Sequence, residues 1–149
     1  MQFTTLLIKF SERKVVKTEG NKMGSFRDLT VYKKSFLLAM EIFKLTKLFP
    51  VEERYALTSQ LRRSSRSVSR AIGEGYRKRS YPNHFINKTT DADMENTETQ
   101  ISLDFAYACG YMTEDVNMEL RSKSEEIGRM LNHMIENPKK YQRKPDSTK

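Results

Sequence analysis

From Leu61 to Arg79 the chain carries seven basic side chains and one acid, Glu74, but the run is more than a charge cluster. Wound as a helix at about 100° per residue, it separates into two faces. Leu57, Leu61, Val68, Ile72 and Gly75 fall together, and Arg62, Arg66, Arg70 and Arg77 fall on nearly the opposite side. One helix thus buries an apolar stripe and holds out a line of guanidinium groups. The other helices must supply surfaces that cover the stripe. Ser65, Ser69 and Gly73 recur beside it at i, i+4 and i+8, small enough for another backbone to approach closely.

The flanking segments share the helical period. A first helix is expected to follow Thr30 as N-cap and to run from about Val31 to Phe49, with Pro50 ending it. Val31, Ser35, Leu38, Ala39, Ile42, Phe43, Leu45, Thr46 and Phe49 share its broad face. Leu37, Met40 and Leu48 point elsewhere, more apolar surface than one core consumes, which favours a subunit interface. The arginine-bearing helix is expected to begin near Glu52 or Glu53, acids suited to the positive end of a helix dipole, and to reach about Arg79. A third helix runs from about Pro82 to Tyr111, with Ile86, Thr90, Met94, Thr97, Ile101, Phe105 and Ala108 as its expected core stripe. It is acidic: Asp91, Asp93, Glu95, Glu98 and Asp104 stand against Lys88. A fourth helix, capped by Thr113 and stopped by Pro138, spans about Glu114 to Asn137 and aligns Val116, Leu120, Ile127, Leu131 and Met134.

Four amphipathic helices with short joins make an all-α fold, an up-down-up-down antiparallel four-helix bundle over residues 26–137. Residues 1–25 have no sustained period and read as a flexible basic arm, with Met23 a candidate start. Residues 138–149 read as a basic disordered tail.

The composition narrows the function. A formal charge of +8 over 149 residues favours a polyanionic partner. Cys109 is the only cysteine, which excludes an intrachain disulfide and reads as cytoplasmic. No apolar run reaches the roughly 18–20 residues of a membrane span. His84 and His133, the only histidines, fall in no ligand pattern, so neither a metal nor another cofactor is expected. Cys109 and the serines lack a base held by a third group, and no Gly-rich phosphate loop exists, so the chain is read as non-catalytic. Tyr76 and Tyr81 flank Arg77, Lys78 and Arg79, where the rings can stack on bases; Tyr76 also lies close to the core side of its helix, where packing is the alternative.

Several motifs then combine. Phe26-Arg27-Asp28-Leu29 precedes the first helix and Phe49-Pro50 follows it. Tyr55-Ala56-Leu57-Thr58-Ser59-Gln60-Leu61-Arg62-Arg63-Ser64 and Ile72-Gly73-Glu74-Gly75-Tyr76-Arg77 mark the second. Glu98-Thr99-Gln100 and Glu126-Ile127-Gly128-Arg129-Met130-Leu131 mark the last two. Together, over about residues 26–136, they resemble the four-helix-bundle family of 23S rRNA intervening-sequence proteins. Departures from the family pattern are Ala71, Gly73, Ala92-Asp93 and Tyr32. The resemblance implies a small bacterial protein that assembles into ring-like pentamers, some relatives being encoded within ribosomal RNA genes. It carries over no catalytic residue. The accessory variability determinant of diversity-generating retroelements is similar in fold. That likeness implies nucleic acid and a reverse transcriptase as partners on a basic pentameric surface.

The expectation is a homo-oligomer that holds RNA or DNA, without strong sequence preference, on Arg62, Arg66, Arg70 and Arg77, helped by Arg63, Lys78 and Arg79. The alternative is a protein–protein scaffold that binds no nucleic acid. Its arginines are consumed by third-helix acids, within or between subunits.

Overall fold

A computed structural model describes residues 24–144. Of the expected arm only Gly24 and Ser25 are described; the candidate start at Met23 and the tail from 145 onward lie outside the described residues. All regular structure among the described residues is helical: α1 (Thr30–Thr46), α2 (Leu57–Arg77), α3 (Pro82–Ala108) and α4 (Glu114–Glu136), with short 3-10 turns at Phe26–Asp28, Val51–Glu53 and Pro138–Tyr141.

The helix ends follow local chemistry. Thr30 is the first residue of α1 rather than its cap, and Leu29, at the cap position, offers no side-chain hydrogen bond. Capping moves one turn upstream. The Ser25 hydroxyl accepts from the Arg27 amide at 3.2 Å, and the Ser25 amide donates to Asp28 Oδ2 at 2.8 Å. Glu52 and Glu53 lie in their own 3-10 turn, so α2 starts later than expected. Glu53 still serves it, because Glu53 Oε2 accepts from the Leu57 amide at 3.1 Å. Pro82 opens α3, where its missing N–H costs nothing. Gly110, at φ +77°, turns the chain toward α4, and Thr113 Oγ1 accepts from the Val116 amide at 3.3 Å. Pro138–Tyr141, assigned to the tail by sequence, forms a turn that stacks Tyr141 on Phe85 with centroids 5.6 Å apart.

α2 packs on α1 and α3, α3 on α4, and α1 on α4 less extensively. The core joins Val31, Leu38 and Ile42 of α1 to Leu61, Val68 and Ile72 of α2 and Leu120, Ile127 and Leu131 of α4. Each such buried side chain contributes roughly 1.5–3 kcal/mol relative to exposure. Two glycines set the close approaches. A Cβ on Gly75 would lie 3.1 Å from Lys88 Cβ on α3, and one on Gly73 would lie 3.4 Å from the Phe26 ring.

α3 corrects the sequence reading. Its expected stripe is turned outward: Met94 is 63%, Ile101 51% and Phe105 62% exposed, and Thr90, Thr97 and Ala108 are exposed too. Only Ile86 of that set is half-buried. The buried face is Phe85, Thr89, Ala92, Asn96, Thr99, Ser102, Leu103 and Ala106. Three of its polar members, Thr89, Asn96 and Thr99, are hydrogen-bonded internally. Thr89 Oγ1 donates to the Phe85 carbonyl at 2.7 Å, and Thr99 Oγ1 lies 2.9 Å from the Glu95 carbonyl and 2.8 Å from Ser64 Oγ. Asn96 Nδ2 donates to the Ser124 carbonyl at 2.9 Å, and Ser124 Oγ donates back to Asn96 Oδ1 at 2.8 Å. A hydroxyl paired with the preceding turn can enter a core with little desolvation cost.

Candidate nucleic-acid interface

α2 runs between α1 and α3, so its outer side borders a hollow on each flank. The α1–α2 groove encloses about 530 Å³ and is lined by Phe26, Tyr32, Phe36, Met40, Arg66, Arg70 and Arg77, among others. The α2–α3 hollow, about 510 Å³, brings Arg63 beside Glu95, Glu98, Ile101 and Phe105.

The seven basic residues therefore divide. Arg66, Arg70 and Arg77 are exposed and line the α1–α2 groove, and Arg70 also borders a hollow toward α3 with Glu74, Asp91, Glu95 and Glu98. Arg66 lies over the Phe43 ring, 5.6 Å from its centroid. Arg62 is half-buried and spans two helices. Its Nε donates to Thr46 Oγ1 at 2.8 Å and its guanidinium sits 4.8 Å over the same Phe43 ring. Arg63 faces the acids of α3 from the other flank. Lys78 is exposed at the C-terminal cap of α2. Arg79 is half-buried: it donates to the Tyr76 carbonyl at 2.9 Å and lies 4.0 Å over the Tyr76 ring.

Among the described residues, none of these seven cations forms an ion pair with a carboxylate. The acids nearby are engaged elsewhere or partly desolvated. Glu74 Oε2 lies 3.0 Å from Lys88 Nζ, and Asp91 lies 3.7 Å from the same amine, so Lys88 is raised above its ordinary value by its bond to Glu74. Burial, then the neighbouring charge of Glu98, pushes the Glu95 carboxyl up, and Arg63 pulls the other way. A further acid of α3, Asp104, pairs with Arg121 of α4.

The aromatic expectations change place. The Tyr76 hydroxyl donates to the Gly24 carbonyl at 3.1 Å and its ring is covered by Arg79. Tyr81 is 62% exposed and meets His84 edge-on at 6.0 Å. The rings that border the arginine row are Phe26, Tyr32 and Phe36, which sequence reasoning missed as site residues. Phe26 meets Tyr32 edge-on at 5.1 Å, Tyr32 stacks with Phe36 at 6.2 Å, and Phe36 is 47% exposed. The one available signal was the excess apolar surface of the first helix.

For other chemistry the residues supply little. Among the described residues no group of three or more His, Cys, Asp or Glu is placed to hold a metal ion, and none of the helices is long and apolar enough to cross a membrane. Cys109 is exposed.

No curated protein matches this chain. A solved structure from Bacteroides thetaiotaomicron, described as a protein of unknown function from the S23 ribosomal protein family, is similar. It shares 29% identity over 71% of this chain and 95% of its own, with a TM-score of 0.65. The family model for the 23S rRNA-intervening sequence protein matches residues 27–133, the four helices almost entire. On that match, the chain belongs to the family of 23S rRNA-intervening sequence proteins.

Proposed function

We propose that the protein is a non-catalytic, self-associating bundle that binds RNA or DNA through the basic face of α2 by charge and shape. One observation carries the reading. Arg66, Arg70 and Arg77 stand exposed along one groove without a carboxylate partner among the described residues, although an acidic helix lies against α2. Guanidinium groups so placed offer bidentate forks to phosphate and displace its counterions. Arg63, Lys78 and Arg79 extend the positive field, and Arg62 adds its terminal nitrogens beside Phe43.

The scaffold we infer is an up-down-up-down antiparallel bundle. Cross-helix contacts in inverse order support it: Ser35 with Ser69 but Thr46 with Arg62, and Ser64 with Thr99 but Gly75 with Lys88. Self-association is supported by the outward apolar row Met94, Ile101 and Phe105, a costly surface for a monomer to leave in water. A ring-like pentamer is the assembly we expect. A reverse transcriptase is the protein partner to test, in the cytoplasm, and an insertion in a ribosomal RNA gene is the competing setting. Neighbouring genes separate the two.

The test is the double variant Arg66→Glu, Arg70→Glu. Retention on RNA is lost while helicity stays intact; unchanged affinity at low salt contradicts the reading.

A second reading is favoured by the placement of Glu95 and Glu98 beside Ile101 and Phe105. An apolar row edged with acids is also a fit for the arginine-edged groove of another copy. In that case the protein is a scaffold without nucleic acid, and polynucleotide binding is weak at every salt concentration.

A further inference from the structure

We propose that the α1–α2 groove takes an unpaired base of a single-stranded nucleic acid, with the flanking phosphates on Arg66, Arg70 and Arg77. The inference rests on the reading of α2 as a polyanion-binding face and names the kind of nucleic acid it prefers.

The groove has two chemically distinct parts. Its floor is apolar and aromatic: Phe26, Tyr32 and Phe36 form a continuous chain of ring contacts, and Phe36 leaves nearly half of its surface open. Its rim on the α2 side is cationic, with Arg66 and Arg70 one helical turn, about 6 Å, apart. Gly73 makes the combination fit. Its missing side chain lets the Phe26 ring sit against α2, since a Cβ there would already lie 3.4 Å from that ring. Among the described residues the lone acid lining this groove, Glu74, is turned to Lys88 at 3.0 Å and pairs with none of the arginines.

A duplex offers phosphates to the rim but keeps its bases stacked, and so leaves the aromatic floor uncovered. An unpaired nucleotide uses both parts: the base covers a ring and the phosphate meets a guanidinium. About 530 Å³ accommodates one such base with its sugar. A peptide knob or a second copy of the chain could also cover the rings. The row of guanidinium groups beside them, without an ion pair among the described residues, favours a ligand with one anion per repeating unit.

Fluorescence anisotropy on the full-length protein tests this, with a short labelled oligoadenylate and a duplex of equal length as probes. The wild type is expected to bind the single strand about tenfold more tightly than the duplex. Phe36→Ala removes that preference and leaves duplex binding unchanged. Phe36→Leu, which keeps apolar volume but has no ring face, does the same and guards against misfolding, with helicity checked by circular dichroism. A fluorescent adenine analogue in the strand is quenched by the wild type and not by either variant. Arg70→Glu weakens both probes.

Equal affinity for single strand and duplex in the wild type overturns the groove proposal while leaving the basic face intact. Loss of both probes together in the Phe36 variants overturns it as well. If the Phe36 variants change the mass in light scattering and leave RNA binding untouched, a second copy occupies the groove. Binding of neither probe by the wild type removes the underlying reading too.

Discussion

The guanidinium of Arg66 lies over the ring of Phe43, 5.6 Å from its centroid, so an aromatic side chain of α1 orients a cation of α2. Arg62 shares the same ring at 4.8 Å. Holding a long side chain in one plane lowers the entropy lost when its donors meet phosphate. Phe43→Leu keeps most of the apolar contact and removes the ring face. A cation–π contact at such a site contributes about 0.5–1 kcal/mol, so the variant binds RNA about two- to fivefold more weakly. Titration of RNA into both proteins, with thermal melts as a stability control, checks this.

The outward row on α3 supports a second prediction. Ile101→Asp with Phe105→Asp places two charges where we infer that chains meet. Light scattering is expected to show monomers, and circular dichroism an unchanged helix content, because neither residue belongs to the intrachain core. An unchanged mass would place the contact between copies elsewhere.

α3 also shows what the sequence could and could not reveal. The four helices were legible because their apolar residues recur at the helical period and because Pro50, Pro82, Gly110 and Pro138 mark the breaks. Which face of α3 enters the core was not legible. Periodicity finds an apolar stripe but does not say whether the same chain or another covers it. Ile101 and Phe105 therefore read as core, and Thr89, Asn96 and Thr99 fall outside the expected stripe, until the partners Phe85, Ser124 and Ser64 are in place. The arginine row was legible as one face of one helix. Its split between two grooves was not, since it depends on Phe26 and Phe36 on one side and Glu95 and Glu98 on the other, all from other elements.

The Asn96–Ser124 pair makes a stability prediction. Both side chains are buried; Asn96 Nδ2 donates to the Ser124 backbone carbonyl at 2.9 Å, and Ser124 Oγ donates to Asn96 Oδ1 at 2.8 Å. Asn96→Ala strands the Ser124 hydroxyl and opens a void beside it, at a cost of about 1–3 kcal/mol. Asn96→Leu with Ser124→Ala leaves no hydroxyl without its partner, and so loses less than Asn96→Ala alone. Urea midpoints at constant slope distinguish the two.

Alkaline pH probes the link between α2's start and the turn before α4. The Tyr111 hydroxyl donates to Glu53 Oε1 at 2.9 Å, and that bond, with burial and the charge of Glu53, pushes the phenol from 10.0 up to about 12. The folded state therefore keeps the proton that the unfolded chain gives up. The stabilisation is complete below pH 10 and disappears as pH rises toward about 12. Thermal melts between those limits are expected to fall more steeply for the wild type than for Tyr111→Phe.

The dependence of RNA affinity on salt reaches the central claim most directly. If Arg66, Arg70 and Arg77 each neutralise a phosphate, the logarithm of the association constant falls with the logarithm of salt concentration. The slope is about −2 for one subunit on a single strand, and steeper when neighbouring subunits engage the same strand. Arg66→Glu with Arg70→Glu flattens it. A slope near zero in the wild type would mean that the guanidinium row meets no phosphates, contradicting the account.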